Sequence, residues 1–206
     1  MTPVLLVATF NPGKARELRD LLEAAGYRAT TLREAGIDEP YEETGATYEE
    51  NGAAKARHYA ALSGRVTIAD DSGIEVEALG GAPGPRSARY GGAGLDDAGR
   101  TRRLLEALRE VPSAARAARY VAVAVVARPD GETRAFRGTC EGRIATEPRG
   151  AGGFGYDPVF VYELLGRTFA ELAAEDKHRV SHRGRAFRAL AEFLASGEGK
   201  RFLGAV

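Results

Sequence analysis

Asp70 and Asp71 stand side by side at the end of the apolar run 66–69. Adjacent carboxylates in such a place repel each other and need a cation or a proton to coexist. A site made only of oxygen suits Mg²⁺, which keeps its waters and bridges substrate phosphates. Glu42 and Glu43 can complete it from the acidic stretch 34–50, which holds seven carboxylates and no Lys or Arg. The alternative is a loop whose Asp side chains accept local backbone N–H groups.

Three other groups carry chemistry. Asn11-Pro12-Gly13-Lys14 lies between an apolar run and a helical pattern, where free N–H groups, the helix dipole and a lysine together form an anion site. A plain capped helix with a solvated Lys14 would look the same. It is not a P-loop, because the first glycine is missing and Ala15 follows Gly-Lys. The segment 177–188 carries Lys177, His178, Arg179, His182, Arg183, Arg185 and Arg188 with no acid. A solvated basic helix face accounts for Arg185 and Arg188. Lys177, His182 and Arg183 flank the helix cap Ser181 and can meet on a ligand. In Gly152-Gly153-Phe154-Gly155-Tyr156-Asp157 the glycines let backbone come close. Phe154 is expected to stack on a base and Tyr156 to anchor the loop to the core. Arg outnumbers Lys 25 to 4, and three of the four lysines, Lys14, Lys55 and Lys177, fall in these segments. A compact ammonium rather than a guanidinium is the reason to keep lysine there. Three His and one Cys without ligand spacing give no zinc site. No Gly-x-Ser-x-Gly supports a serine hydrolase.

The elements that must position these groups are legible in part. Residues 4–8 form a buried strand, and Asn11 caps a helix with Pro12 in its first turn. Thr47 and Glu50 form a capping box, so a helix runs from about 48 to 62 with Asn51 and Lys55 on one face. Residues 66–69 form a second buried strand, 74–76 resume an extended pattern, 80–94 form a long ordered loop, and 96–108 an amphipathic helix. Residues 120–127 and 133–139 are strands of a hairpin turning at Pro129-Asp130-Gly131. A short strand lies at 159–161. Thr168 and Glu171 open a helix to about 176, and Ser181 caps the last one. Strand–helix units mixed with a hairpin predict an α/β fold with a mixed, partly antiparallel sheet.

Composition narrows the class. With 44% hydrophobic and 28% charged residues the chain is globular. A formal net charge of zero argues against nucleic acid as a partner. A lone Cys140 cannot form an intrachain disulfide, the first residues lack a basic n-region, and no apolar run approaches the roughly 20 residues of a membrane span. A cytoplasmic protein without membrane contact is expected, with one domain over 1–206 and no separable linker.

In order along nearly the whole chain, seven segments resemble the inosine triphosphate pyrophosphatase family, in its RdgB-type dITP/XTP form. They are Thr9-Phe10-Asn11-Pro12-Gly13-Lys14, Glu42-Glu43-Thr44-Gly45, residues 50–56, Ala69-Asp70-Asp71-Ser72-Gly73, residues 80–84 with 87–90, the loop 152–158, and Lys177 with Ser181-His182-Arg183-Gly184. The resemblance implies an elongated mixed sheet with flanking helices in two lobes around a central cleft. It also implies a homodimer and Mg²⁺-dependent hydrolysis of non-standard purine nucleoside triphosphates (dITP, ITP, XTP) to monophosphate and pyrophosphate. By the same resemblance Thr9, Phe10, Asn11, Pro12, Gly13 and Lys14 grip the triphosphate. Glu42 and Asp71 hold Mg²⁺, Asp71 also takes the proton, and Lys55 and Asp70 assist. Ser72, Phe154, Gly155, Tyr156, Asp157, Lys177, His182 and Arg183 touch substrate. Phe10 departs from the small residue common at its place. Two rivals are a house-cleaning pyrophosphatase for another modified nucleotide and a nucleotide-binding regulator without turnover.

Overall fold

The computed structural model describes residues 4–204. Strand β1 (Val4–Val7) leads into helix α1 (Pro12–Ala24). Asn11 caps that helix by accepting the Lys14 N–H at 3.0 Å. Strand β2 (Arg28–Thr31) returns parallel to β1, with Leu5 beside Ala29. The capping box forms as read: the Thr47 hydroxyl accepts the Glu50 N–H and the Glu50 carboxylate accepts the Thr47 N–H, opening α2 (Tyr48–Ser63). Strand β3 (Thr67–Val76) then pairs parallel with β1. There follow α3 (Asp97–Ala107), β4 (Ala117–Ala127), β5 (Thr133–Ile144), β6 (Phe160–Tyr162), β7 (Arg167–Thr168), α4 (Ala174–Val180), α5 (His182–Ala195) and α6 (Gly197–Phe202).

The sheet has seven strands in the order β2-β1-β3-β4-β5-β6-β7. It is parallel from β2 through β1 to β3 and antiparallel from β5 through β6 to β7. This is the expected mixed α/β sheet with helices beside it. Val121 to Ala127 of β4 are all fully buried, the unbroken apolar run of a strand covered on both faces.

Two expectations need correction. The Asp70-Asp71 pair does not end a strand: β3 continues through it to Val76, and eight of its ten residues are buried. Acidic residues inside a covered strand break the apolar pattern without breaking the strand. The Thr168–Glu171 capping box forms, but it opens only a 3₁₀ turn. Leu172 returns to extended backbone at ψ 147°, and α4 begins separately at Ala174.

The chain divides into two units. One takes in residues up to Asp71, Ala122–Gly138 and those from Arg183 on. Its core joins Leu5 and Val7 of β1, Leu18 and Leu22 of α1, Ile68, Ala122 and Ala124, and Phe187, Leu190 and Leu194 of α5. The other is Ser72–Val121 with Thr139–His182, and its core joins Ile74, Val76, Leu104, Leu108, Cys140, Phe160 and Phe169. No helix among the described residues is long and apolar enough to cross a membrane.

Candidate active site

In the first unit, one face of α2 carries Asn51, Lys55 and Tyr59, four residues apart, and each reaches the acidic stretch. The Asn51 carbonyl oxygen accepts the Gly45 N–H at 2.7 Å, Lys55 pairs with Glu43, and the Tyr59 hydroxyl donates to the Glu39 carbonyl at 2.8 Å. The same face reaches β3: Asn51 Nδ2 donates to Asp71 Oδ2 at 3.0 Å and Lys55 Nζ to the Asp70 carbonyl at 2.8 Å. Helical spacing alone thus joins the acidic stretch to the carboxylate pair.

The two carboxylates have opposite environments. Asp70 is fully buried, with Lys14 Nζ at 3.2 Å from Oδ1 and Arg183 Nε at 3.2 Å from Oδ2. Burial works against its charge, but Lys14, Arg183 and Lys55 outweigh it and hold the carboxyl well below the usual carboxylate range. Asp71 is 3% exposed. Its burial, with Glu43 adding to it, pushes its pKa up to about 6 against the opposing pull of Lys14, Lys55 and the Asn51 hydrogen bond. Burial also works against the Lys55 ammonium, yet Glu43 and Asp70 outweigh it and raise its pKa. Arg183 is held from its other side by Glu17 of α1, at 2.5 Å from Nη1.

The second unit holds a different cluster. Asp157 Oδ2 accepts the Phe154 N–H at 2.8 Å and pairs with Lys177 Nζ at 2.6 Å. Lys177 also lies over the Phe154 ring, 4.9 Å from its centroid. Gly153 permits this turn: it has φ +71°, and a Cβ there would sit 2.1 Å from Asp157 Oδ2. The α3 end of the unit clamps the next peptide, since the Gly155 N–H donates to Asp97 Oδ2 at 2.8 Å and the Thr101 hydroxyl donates to the Gly155 carbonyl at 3.3 Å. Tyr156 is buried and its hydroxyl donates to the Ser87 carbonyl at 2.8 Å, the anchoring expected of it. His182 is 2% exposed and stacks on Tyr120 at 4.4 Å, almost parallel.

The structure therefore brings Lys14, Lys55, Asp70, Asp71 and Arg183 together in one unit, and Phe154, Gly155, Asp157 and Lys177 together in the other. Thr9, Asn11, Pro12 and Gly13 form the cap of α1, where Asn11 N–H donates to the Thr9 hydroxyl at 3.2 Å. Phe10 packs edge-on against Tyr59 at 6.4 Å. Ser72 is half-buried at the next position of β3. Glu42 is exposed, whereas Glu43 faces Lys55. Arg185 and Arg188 are exposed, as a solvated face requires. Sequence reasoning offered Glu43 to the carboxylate site but not as the partner of Lys55, and it gave Asn51 and Glu17 no part in this network. The four-residue spacing of Asn51 and Lys55 was the available signal for Asn51.

Among the described residues no group of three or more His, Cys, Asp or Glu is placed to hold a metal by itself. A Mg²⁺ ion does not need one, because it is commonly held by one or two carboxylates and by substrate phosphates. The donors present, all oxygen, fit that mode. Asp71 is a carboxylate whose charge is disfavoured by burial, a cost that a divalent ion would offset.

The chain thus sets a carboxylate pair, flanked by Lys14 and Lys55, in one strand of a mixed α/β sheet. It belongs to the Ham1 family, whose sequence pattern matches residues 5–193. It is 49% identical over 193 residues to a dITP/XTP pyrophosphatase of Thermus thermophilus, covering 94% of this chain and 92% of that one. It is 50% identical over 198 residues to the dITP/XTP pyrophosphatase of Mycolicibacterium paratuberculosis, covering 94% and 96%. The solved structure of a HAM1 protein from Coxiella burnetii superposes with a TM-score of 0.83 at 38% identity, over 94% of this chain and 98% of that chain.

Proposed function

We propose that this protein hydrolyses non-standard purine nucleoside triphosphates, dITP, ITP and XTP, to the monophosphate and pyrophosphate. The observation that carries the proposal is the carboxylate of Asp71, 3% exposed in β3 and beside Asp70, which Lys14 and Lys55 hold; burial pushes the Asp71 pKa up to about 6 in the metal-free protein. A general base works best with a pKa near the working pH. Asp71 takes a proton from water as the water oxygen bonds to phosphorus and the bond to the leaving pyrophosphate breaks. We place the attack at the α-phosphorus. Lys14 and the N–H groups at the start of α1 hold the polyphosphate, and Lys55 balances charge as it moves to the leaving group. Asp70 takes no proton in this scheme, because three cations keep it ionised. It fixes Lys14 and Arg183 in place.

Mg²⁺, held by Asp71 and Glu42, belongs to the proposal and would neutralise phosphate charge when bound. A homodimer and a cytoplasmic location also belong to it, supported by the family resemblance. Phe154 offers a ring face to the base. Hypoxanthine and xanthine present a carbonyl at C6 and an N1–H. Adenine presents the reverse, so donors aimed at O6 would be left unpaired against it, a mismatch able to give roughly 10⁴-fold discrimination.

Pyrophosphate release from ITP, dITP, XTP, GTP and ATP, with Mg²⁺ and with EDTA, tests the proposal. The first three should lead, GTP should fall well below, ATP should be lowest, and EDTA should abolish all. Equal turnover of ATP and ITP, or full activity in EDTA, overturns it.

A further inference from the structure

Asn51 is a buried polar group on the α2 face to which the proposed chemistry gives no part. It is 1% exposed. Its two amide ends have different duties: Oδ1 accepts the Gly45 N–H at 2.7 Å, and Nδ2 donates to Asp71 Oδ2 at 3.0 Å. A backbone N–H can only donate and an ionised carboxylate can only accept, so the two partners fix which way the amide points. An aspartate here could serve the loop but not Asp71, and an alanine neither. Gly45 is matched to the same contact, since a Cβ there would lie 2.7 Å from Asn51 Oδ1. One side chain thus bridges the carboxylate and the loop that carries Glu42 and Glu43, in a chain of contacts lying wholly in the first unit.

We propose that Asn51 is a positioning residue that locks the Asp71 carboxylate and the acidic loop 42–45 into one mutual geometry. The inference rests on the hydrolysis proposed above. Without the amide, the Asp71 carboxyl can turn and the loop carrying Glu42 is released, so the loss falls on turnover and on the metal requirement. Nucleotide affinity, which depends on Lys14, the α1 cap and the Phe154 loop, is spared.

The test has two arms. In the first, Asn51→Ala, Gly45→Ala and the double variant are assayed for pyrophosphate release from ITP across a Mg²⁺ series, with melting temperatures alongside. Asn51→Ala should lower kcat by about 10–100-fold, as loss of a partner behind a metal-binding carboxylate typically does. KM for ITP should stay within about threefold and half-saturation should need more Mg²⁺. Gly45→Ala should act in the same sense, and the double variant should be no worse than Asn51→Ala, because both break one link. Unchanged kcat, a rise in KM alone, or effects that multiply would overturn the inference. If Asn51→Ala does not fold, Gly45→Ala reads the same link from the loop side, and its wild-type kcat would overturn it. The second arm does not depend on activity. Hydrogen exchange of the Gly45 amide should speed up in Asp71→Ala, since that variant removes the partner at the far end of the amide. Unchanged exchange sinks the linkage even if the enzyme is active. An inactive wild type would instead sink the hydrolysis, leaving the exchange result to decide the link.

Discussion

The first unit gathers charge and the second gathers rings. Around Asp70 and Asp71 stand Lys14, Lys55, Arg183, Glu43 and Glu17, and the balance differs from one residue to the next. Around Lys177 stand one matching carboxylate, Asp157, and the faces of Phe154 and Phe169. Lys177 and Asp157 are both nearly fully buried and satisfy each other. Asp71 is not settled in this way, because burial holds it up near 6 even with two lysines in reach. A region whose charges are matched is suited to a neutral planar group. A region with an unsettled carboxylate beside cations is suited to a polyanion and its counter-ion. On the function proposed above, the first unit would take the phosphates and the second the base.

The largest effect should come from the unsettled side. Asp71→Asn keeps the side-chain shape and should lower kcat by about 10²–10⁴-fold, the range for loss of a general base, with the fold intact. Steady-state rates at saturating Mg²⁺ and a melting curve check this. A near wild-type kcat would remove Asp71 from the chemistry and erase the contrast between the two units.

The matched side should fail in stability. Lys177→Met leaves Asp157 buried without its cation, a type of loss that costs about 3–5 kcal/mol. Asp157 also accepts the Phe154 N–H, so the turn carrying the ring should loosen as well. Adding Asp157→Asn to Lys177→Met removes the stranded charge and should recover much of the stability. Denaturant unfolding of the two variants measures this, and equal stabilities would mean that the pair is not a closed unit.

A smaller effect belongs to the ring itself. Phe154→Ala should raise KM for ITP by about tenfold, within the ~1–3 kcal/mol of a base–aromatic stack, and should leave kcat within a few-fold. It should weaken ITP and GTP alike, because stacking does not read the base edge. A loss confined to kcat would move Phe154 to the phosphate chemistry.

How much of this was legible in the sequence depends on the range of each contact. The α1 cap at Asn11, the Thr47–Glu50 capping box and the buried run of β4 are local patterns, and all three appear where the sequence put them. Strand β2 was not visible because Arg28-Ala29-Thr30-Thr31 has no buried residue to mark it. The site divides in the same way. Lys14, Lys55 and the Asp70-Asp71 pair announce themselves by residue type. Glu17 and Arg183 form their pair across 166 positions, and nothing in either segment points to the other. Glu42 and Glu43 are adjacent and chemically identical, so only the path of the backbone decides which one meets Lys55.

The finest test of the contrast is the pH dependence of stability, where the two adjacent carboxylates have opposite signs. Asp70 ionises more readily folded than unfolded, so its contribution is present above the unfolded value of about 3.9 and is lost only as pH falls toward its depressed folded value. Asp71 does the reverse. Its folded pKa of about 6 exceeds the unfolded value, so in metal-free protein the folded state takes up the proton first. Stability from this residue therefore rises as pH drops from 7 toward 5, by about 1 kcal/mol, or ~2–4 °C in melting temperature for a chain of this size. Asp70 contributes nothing to the slope in that window, because it is ionised in both states there. Melting curves in EDTA at pH 7 and pH 5 for the wild type and for Asp71→Asn isolate the term, since the variant keeps every other titrating group. The wild type should gain on the variant as pH falls, and added Mg²⁺ should stabilise the wild type more at pH 7 than at pH 5, because the ion binds the deprotonated carboxylate. If the two proteins keep a constant difference in melting temperature across this window, Asp71 is not the strained member of the pair.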